Sequence, residues 1–352
     1  MLEKNRSSIP SASLLLLMTF GAHAGEVLVY GLGHVSADNV DDGQTSSYYV
    51  ASNSSRLGLS GSYRLSPSLE VIFQYETGVD LTAQGFNDGN GDANSQGQIL
   101  TKGRDSYVGL SGNFGKVLIG HIPALDQWAN DYNLFADQVG DLGNLWEGSG
   151  IPGRLDNVIY YQAPTFSGAN VALSYVPEEG KEDSDNLIIK GNYEFSGLKM
   201  GVAYASIGQG DVILQKHRAM ALTFGYDFER FSIGGGFQAE HDIAGVSGVD
   251  RDSYNVGVKV QIGQQGVLKS QIAISSGDQN NSDARQIAIG YDYLYDKNTT
   301  LYIAYAQTDN DENVNFSVNG KGHGDKIVPF MGKDPSALSI GIVAKFDLTL
   351  NY

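Results

Sequence analysis

Apolar and polar residues alternate with a period of two through almost the whole chain after Gly25, and no long stretch has the 3.6-residue period of a helix. In the segment 49–64, Leu57 and Leu59 occupy one parity and Arg56 and Ser60 the other. Residues i and i+2 of a strand share one face, so such a segment has an apolar and a polar face. The chain is therefore predicted to be all-β.

The candidate strands are sixteen and share this alternation: Glu26–Val35, Tyr49–Arg64, Ser68–Gly78, Arg104–Asn113, Lys116–His121, Arg154–Ala163, Ala169–Val176, Asn186–Phe195, Lys199–Ser206, Ala219–Phe228, Phe231–Glu240, Ser253–Ile262, Val267–Ser275, Ala284–Tyr295, Thr300–Gln307 and Ala337–Tyr352. Short turns and long polar connectors alternate between them, as in barrels of the bacterial outer membrane. Because so wide a ring does not enclose a filled core, we expect the polar faces to point inward. The predicted fold is a transmembrane antiparallel β-barrel of about sixteen strands.

One predicted strand, 154–163, carries its charges on the face assigned to the lumen. The members of that polar face are Arg154, Asp156, Tyr160 and Gln162. The opposite parity is apolar and consists of Leu155, Ile159 and Tyr161.

The N-terminal residues have the features of a secretory signal. Lys4 and Arg6 form a basic start, Leu14–Phe20 is a short apolar run, and Ala22-His23-Ala24 is a small-x-small cleavage site. We expect residues 1–24 to be removed and 25–352 to form a single barrel domain.

Composition argues against several classes of function. The chain has no Cys, which excludes disulfides and thiolate metal sites, and its formal net charge of −17 argues against a nucleic-acid partner. The histidines are scattered without ligand spacing, and no nucleophile elbow or phosphate-binding glycine loop is found. We therefore predict no enzyme activity, no cofactor and no metal site.

The segment 122–153 departs from the strand pattern. It has no Lys or Arg and holds both tryptophans of the chain, Trp128 and Trp146. Its acidic residues are Asp126, Asp131, Asp137, Asp141 and Glu147. A loop this long is uncommon unless it is functional or disordered, and its apolar content argues against disorder. We expect this third long loop to fold into the lumen.

Four stretches of the chain resemble a known family. They are Val27–Gly31, Ser55–Gly61, Arg104–Gly115 and Arg154–Val158. The sequence resembles the trimeric, sixteen-stranded general porins of Gram-negative outer membranes over nearly the whole predicted mature chain. In that family the third loop narrows the barrel opposite a ladder of wall arginines.

The resemblance places Arg56, Arg104 and Arg154 on this ladder. The acidic partners do not align as specifically. Asp137 and Asp141 are favoured because they lie mid-loop, and Asp126, Asp131 and Glu147 are the further candidates.

The sequence also departs from the family in two places. Ser60 stands where the family often has a basic residue, and Phe346 matches the terminal Phe of the family, which leaves Asp347–Tyr352 as an extension.

The resemblance implies a homotrimer in the outer membrane, in contact with its lipid and lipopolysaccharide. The implied function is passive diffusion of small hydrophilic solutes and ions. The acid excess of the loop and of the whole chain suggests a mild cation preference. Two alternatives are a channel selective for a sugar or another small solute, and an adhesive or structural barrel.

Overall fold

The computed structural model describes residues 25–82, 100–123, 132–147, 153–178, 180–211, 213–324 and 327–351. The predicted signal segment, residues 1–24, lies outside these residues. The described strands are β1 Gly25–Asp41, β2 in the two pieces Ser46–Ser52 and Arg56–Ser66, β3 Leu69–Val79, β4 Leu100–Gly112, β5 Gly115–Pro123, β6 Arg154–Gln162, β7 Ala169–Val176, β8 Asn186–Phe195, β9 Leu198–Ile207, β10 His217–Asp227, β11 Phe231–His241, β12 Arg251–Ile262, β13 Gly266–Gly277, β14 Ala284–Leu294, β15 Thr299–Asn310 and β16 Ser336–Asn351.

The strands form one closed antiparallel ring. Each strand pairs with the next along the chain, and β1 also pairs with β16, from Glu26 opposite Asn351 to Asp41 opposite Ser336. The two pieces of β2 pair with successive parts of β1 and count as one strand. In the described part of the chain the ring therefore has sixteen strands, which confirms the predicted fold class.

Two short helical elements lie within the described residues. The helix α1 spans Gly143–Glu147, and a 3-10 turn spans Ile243–Gly245. No helix in this part of the chain is long and apolar enough to cross a membrane.

The two rims of the barrel differ in their connections. One rim has tight turns, such as Ser196-Gly197, where both residues have positive φ (48° and 85°) and so suit the twist of a hairpin. The other rim carries the long connections, including 80–99, 124–153 and 311–335. Both ends of the described chain lie on the short-turn rim, because Glu26 pairs with Asn351.

The two faces of the ring differ in exposure and chemistry. On β13, Leu268 and Ile272 are 42% and 37% exposed, whereas the alternating Lys269 and Gln271 are buried. Residues 132–147 contact that buried face on β10 through β15. The barrel thus presents apolar side chains outward and polar side chains to the lumen.

Strand β6 departs from the predicted alternation. Asn157 has a positive φ of 58°, and the pairing with β5 shifts register beside it. Such a bulge disrupts the alternation of the residues next to it. The predicted position of Asp156 beside Tyr160 is therefore wrong: the Asp156 side chain is 82% exposed on the outer face, and Leu155 is buried.

An apolar cluster packs against the buried faces of β14, β15, β16 and β1. Residues 132–147 and the connection 311–335 both contribute to it. Its buried members are Val40, Phe135, Val139, Ala288, Tyr302, Ala304, Ala306, Val318, Ile327 and Ala337.

Candidate functional site

The three arginines predicted from the resemblance lie on one section of the inner wall. Arg56 begins the second piece of β2, Arg104 lies on β4 and Arg154 begins β6. The pairing between β3 and β4 shifts register beside Arg104, and this bulge lets the consecutive residues Arg104 and Asp105 both face the lumen.

The structure brings these arginines together with acids of the same wall. Arg104 Nε lies 2.5 Å from Glu76 Oε1, and Arg56 Nε lies 3.9 Å from Oε2 of the same carboxylate. The hydroxyl of Tyr30 donates to Glu76 Oε2 at 2.9 Å. Glu76 on β3 therefore neutralises part of the charge of two arginines and fixes their positions.

A second ion pair completes this arginine wall, which we define as Arg56, Arg104 and Arg154. Arg154 Nε lies 2.6 Å from Asp105 Oδ1. The side chains of Arg56 and Arg154 are 26% and 28% exposed, against 11% for Arg104. Three positive and two negative groups thus share this wall, and Arg56 and Arg154 are its most accessible cations.

Sequence reasoning missed both acids. Asp105 directly follows Arg104 in the stretch that resembles the family, and Glu76 shares the parity of Gln74 on β3. That parity indicated that Glu76 faces the lumen. The contact of Glu76 with two arginines, however, depends on the register of three strands.

The loop acids have different surroundings. Asp141 is buried and accepts hydrogen bonds from the backbone N–H groups of Asp137 and Gly143 and from the Asn133 amide. Burial, followed by the negative charge of Asp137, raises the pKa of Asp141 to about 6. Asp141 therefore organises its own loop.

The expected facing of Asp137 and Asp141 towards the arginines stays a prediction. Asp137 has a positive φ of 62° and its carboxylate lies against Gly322 of the connection 311–335. Asp126 and Asp131 lie outside the described residues, and Glu147 ends α1 with its side chain outside them.

Residues 132–147, here called the inner loop, are attached to the wall on the other side of the ring. The Leu134 N–H donates to Gln271 Oε1 at 2.9 Å, and Gln271 Nε2 donates to the Gly140 carbonyl at 2.5 Å. Lys269 Nζ donates to Gln138 Oε1 at 3.0 Å. The polar side chains of β13 thus satisfy the backbone of the inner loop.

Aromatic residues of the inner loop fit between small residues of the wall. The ring of Tyr132 lies where a side chain on Gly225 or Gly234 would be, so these glycines on β10 and β11 form a notch for it. The ring of Phe135 lies against Gly290 and has Lys269 Nζ 4.6 Å from its centroid, within the range of a cation–π contact.

A cavity lies beside the inner loop. This cavity of ≈ 780 Å³ is bordered by Tyr132 and Leu134 of the loop and by polar wall residues such as Asn192, Thr223 and Lys259. In the part of the chain that is described, no group of three His, Asp or Glu residues is placed to hold a metal ion.

Comparisons with known proteins agree with this architecture. The family model for the Gram-negative porin matches residues 11–313. The outer membrane porin protein 32 of Delftia acidovorans is 27% identical over 341 residues, covering 88% of this chain and 92% of that protein.

Solved structures share the fold. An anion-selective porin from Comamonas acidovorans matches with a TM-score of 0.75 and 23% identity, over 92% of this chain and all of that one. The trimer form of OmpT, an outer membrane protein of Vibrio cholerae, matches with a TM-score of 0.66 and 15% identity, over 92% and 99% of the two chains. With the closed ring and the inward polar face, these matches show that the chain belongs to the Gram-negative porin family of outer-membrane β-barrels.

Proposed function

We propose that the barrel conducts small hydrophilic solutes and ions by passive diffusion, through a gap between the arginine wall and the inner loop. The carrying observation is their placement on opposite parts of the ring: the arginines lie on β2, β4 and β6, and the inner loop is bonded to β13 and fitted against β10 and β11. A loop fixed in this way narrows the lumen from one side and leaves the charged wall lining the other. In this proposal the whole segment 122–153 is the constriction loop of a single domain, 25–352.

Among the described residues, the charges nearest this gap favour anions. The arginine wall has an excess of one positive charge over Glu76 and Asp105, and Asp141 is buried within its own loop. Charges more than about 8–10 Å away are largely screened at physiological salt, so the formal charge of −17 acts only weakly on a passing ion. A weak anion preference follows, and the related anion-selective porin supports it. The mild cation preference expected from the sequence is the competing outcome.

The exposed apolar outer face suits both lipid and a neighbouring barrel. Leu222, Ile289 and Ile303 are among its members, each more than 40% exposed in the single chain. A homotrimer in contact with outer-membrane lipid and lipopolysaccharide covers this face, and the trimer form of the related OmpT supports that assembly.

The test is the reversal potential of purified protein in a planar bilayer under a KCl gradient. Wild-type channels should lean towards chloride, and Arg56→Gln and Arg154→Gln should each lower the chloride-to-potassium permeability ratio. Arg64→Gln is the matched control, because Arg64 is 61% exposed near the short-turn rim and pairs with Glu70 there. Cation preference that Arg56→Gln and Arg154→Gln leave unchanged would contradict the proposed role of the wall, and absence of conductance from folded protein would contradict the channel itself.

A further inference from the structure

The last long connection, described at 311–324 and 327–335 between β15 and β16, runs inside the barrel. Val318 is fully buried in the apolar cluster with Phe135 and Val139 of the inner loop. The Gly140 N–H donates to the Val318 carbonyl at 2.8 Å, and Val139 and Asn319 form an isolated β-bridge. Backbone pairing between the two loops makes them one packed unit.

A glycine pattern marks the place where this connection passes the acids of the inner loop. The segment Gly320–Gly324 has a glycine at every second position. A Cβ on Gly320 would lie 2.7 Å from the Asp141 carboxyl carbon, and one on Gly322 would collide with the Asp137 carboxylate. Only glycine fits at these two positions without displacing the carboxylates of Asp137 and Asp141.

His323 and Gly324 attach this segment to strands β1 and β2. His323 Nε2 lies 3.1 Å from Asp38 Oδ2, and both side chains are almost completely buried. The Gly324 N–H donates to Asn53 Oδ1 at 2.9 Å. The segment is therefore held between the inner loop on one side and strands β1 and β2 on the other.

The break in β2 belongs to this arrangement. Ser54 has a positive φ of 50°, and its hydroxyl donates to the Gly322 carbonyl at 3.0 Å. A regular strand at Asn53–Ser55 would direct alternate side chains away from the lumen, whereas the break lets Asn53 and Ser54 both reach the segment.

We infer that the last long connection is a second constriction element, and that Gly320–Gly324 is the lock that joins it to the inner loop on one side and to β1 and β2 on the other. The inference rests on the proposed diffusion channel and adds a determinant of solute size to it. The connection fills the lumen beside β15, β16 and β1, so solutes pass only along the remaining side, next to the arginine wall. The upper size of permeating solutes is then set by two loops acting together.

Removal of the connection tests the constriction. A Cβ on Gly332 would lie 3.1 Å from the Glu312 Cα, so a short glycine linker in place of residues 313–331 closes the chain without strain. We expect this variant to show a higher single-channel conductance than wild type and faster swelling of liposomes in solutions of larger sugars. Wild-type values from a folded trimer of this variant would overturn the inference. Absence of wild-type conductance would refute the channel instead, so the two failures are distinguishable.

A second measurement tests the lock in the intact chain, in case the shortened variant does not fold. The chain has no cysteine, so Val318→Cys places a single thiol at a fully buried position. His323→Ala removes the His323 contact of the buried Asp38, and we expect thiol labelling at position 318 to become about tenfold faster or more. Glu312→Ala, on the exposed rim of the same connection, is the control and should leave the rate unchanged. Equal rates in the His323→Ala and control backgrounds would overturn the lock.

Discussion

The substitution Glu76→Gln tests how the net charge of the arginine wall sets ion selectivity. Its carboxylate lies 2.5 Å from Arg104 Nε and 3.9 Å from Arg56 Nε, so Glu76→Gln removes the acid that both arginines share. The excess positive charge of the wall rises by one, while the substituted side chain keeps nearly the same volume. Anion preference should therefore increase, in the direction opposite to that of Arg56→Gln.

The size of the effect follows from Coulomb's law. One unit charge about 5 Å from a passing ion contributes roughly 0.8 kcal/mol in water, and screening over about 8–10 Å roughly halves this. The anion gains and the cation loses about 0.4 kcal/mol, so the chloride-to-potassium permeability ratio should rise about fourfold. A larger shift would indicate that the gap is narrower or drier than bulk water.

The assay is reversal potential under a KCl gradient, with trimer integrity checked by unheated gel electrophoresis. Glu70→Gln is a matched control on the same strand, since it removes the same charge beside Arg64. Six residues along a strand correspond to about 20 Å, which is beyond the screening length. A reversal potential for Glu76→Gln that equals that of the control, or moves towards cations, would refute the placement of Glu76 at the narrow part of the pore.

Other expectations follow from the attachment of the inner loop. Gly234→Ala should displace Tyr132 from its notch and lower the melting temperature of the trimer, by an overpacking cost of about 1–3 kcal/mol. Gly103→Ala is the control, because a Cβ there meets no atom within 4 Å, and it should lack this cost. The pKa of Asp141 is about 6 in the docked loop and 3.8 in an exposed Asp, so the docked loop binds more protons than a released loop between these pH values. Docking of the inner loop should therefore weaken as pH rises through that window. The full effect on the free energy of docking is about 3 kcal/mol. The labelling rate of Val139→Cys, divided by that of a free thiol at the same pH, should therefore be lower at pH 4 than at pH 7. Asp141→Asn should abolish this difference. Lys269→Met should speed the same labelling, because it removes the Gln138 hydrogen bond and leaves Asp292 without its ion partner.

The strands and their facing were largely predictable from sequence, because a closed barrel leaves a period-two pattern on every strand. Local departures from that pattern were not. The bulge at Asn157 places Asp156 outside, and the bulge beside Arg104 places Asp105 inside, although the sequence reads as plain alternation in both places. A residue in the left-handed backbone conformation, such as Asn157, can be identified only when the backbone is known.

Contacts across the lumen could also not be predicted from the sequence. The arginines were found through family resemblance, whereas Glu76 requires the register of neighbouring strands to be known. The glycines of Gly320–Gly324 acquire meaning only beside the carboxylates of Asp137 and Asp141, which lie far away along the chain. Local composition does not encode which loop packs against which.

Single-channel recording of the purified trimer in a planar bilayer tests the central claim most directly. We expect stable currents that open in three equal steps, with a reversal potential under a KCl gradient that leans towards chloride. Folded trimers that insert into the bilayer without conducting would contradict the proposed channel.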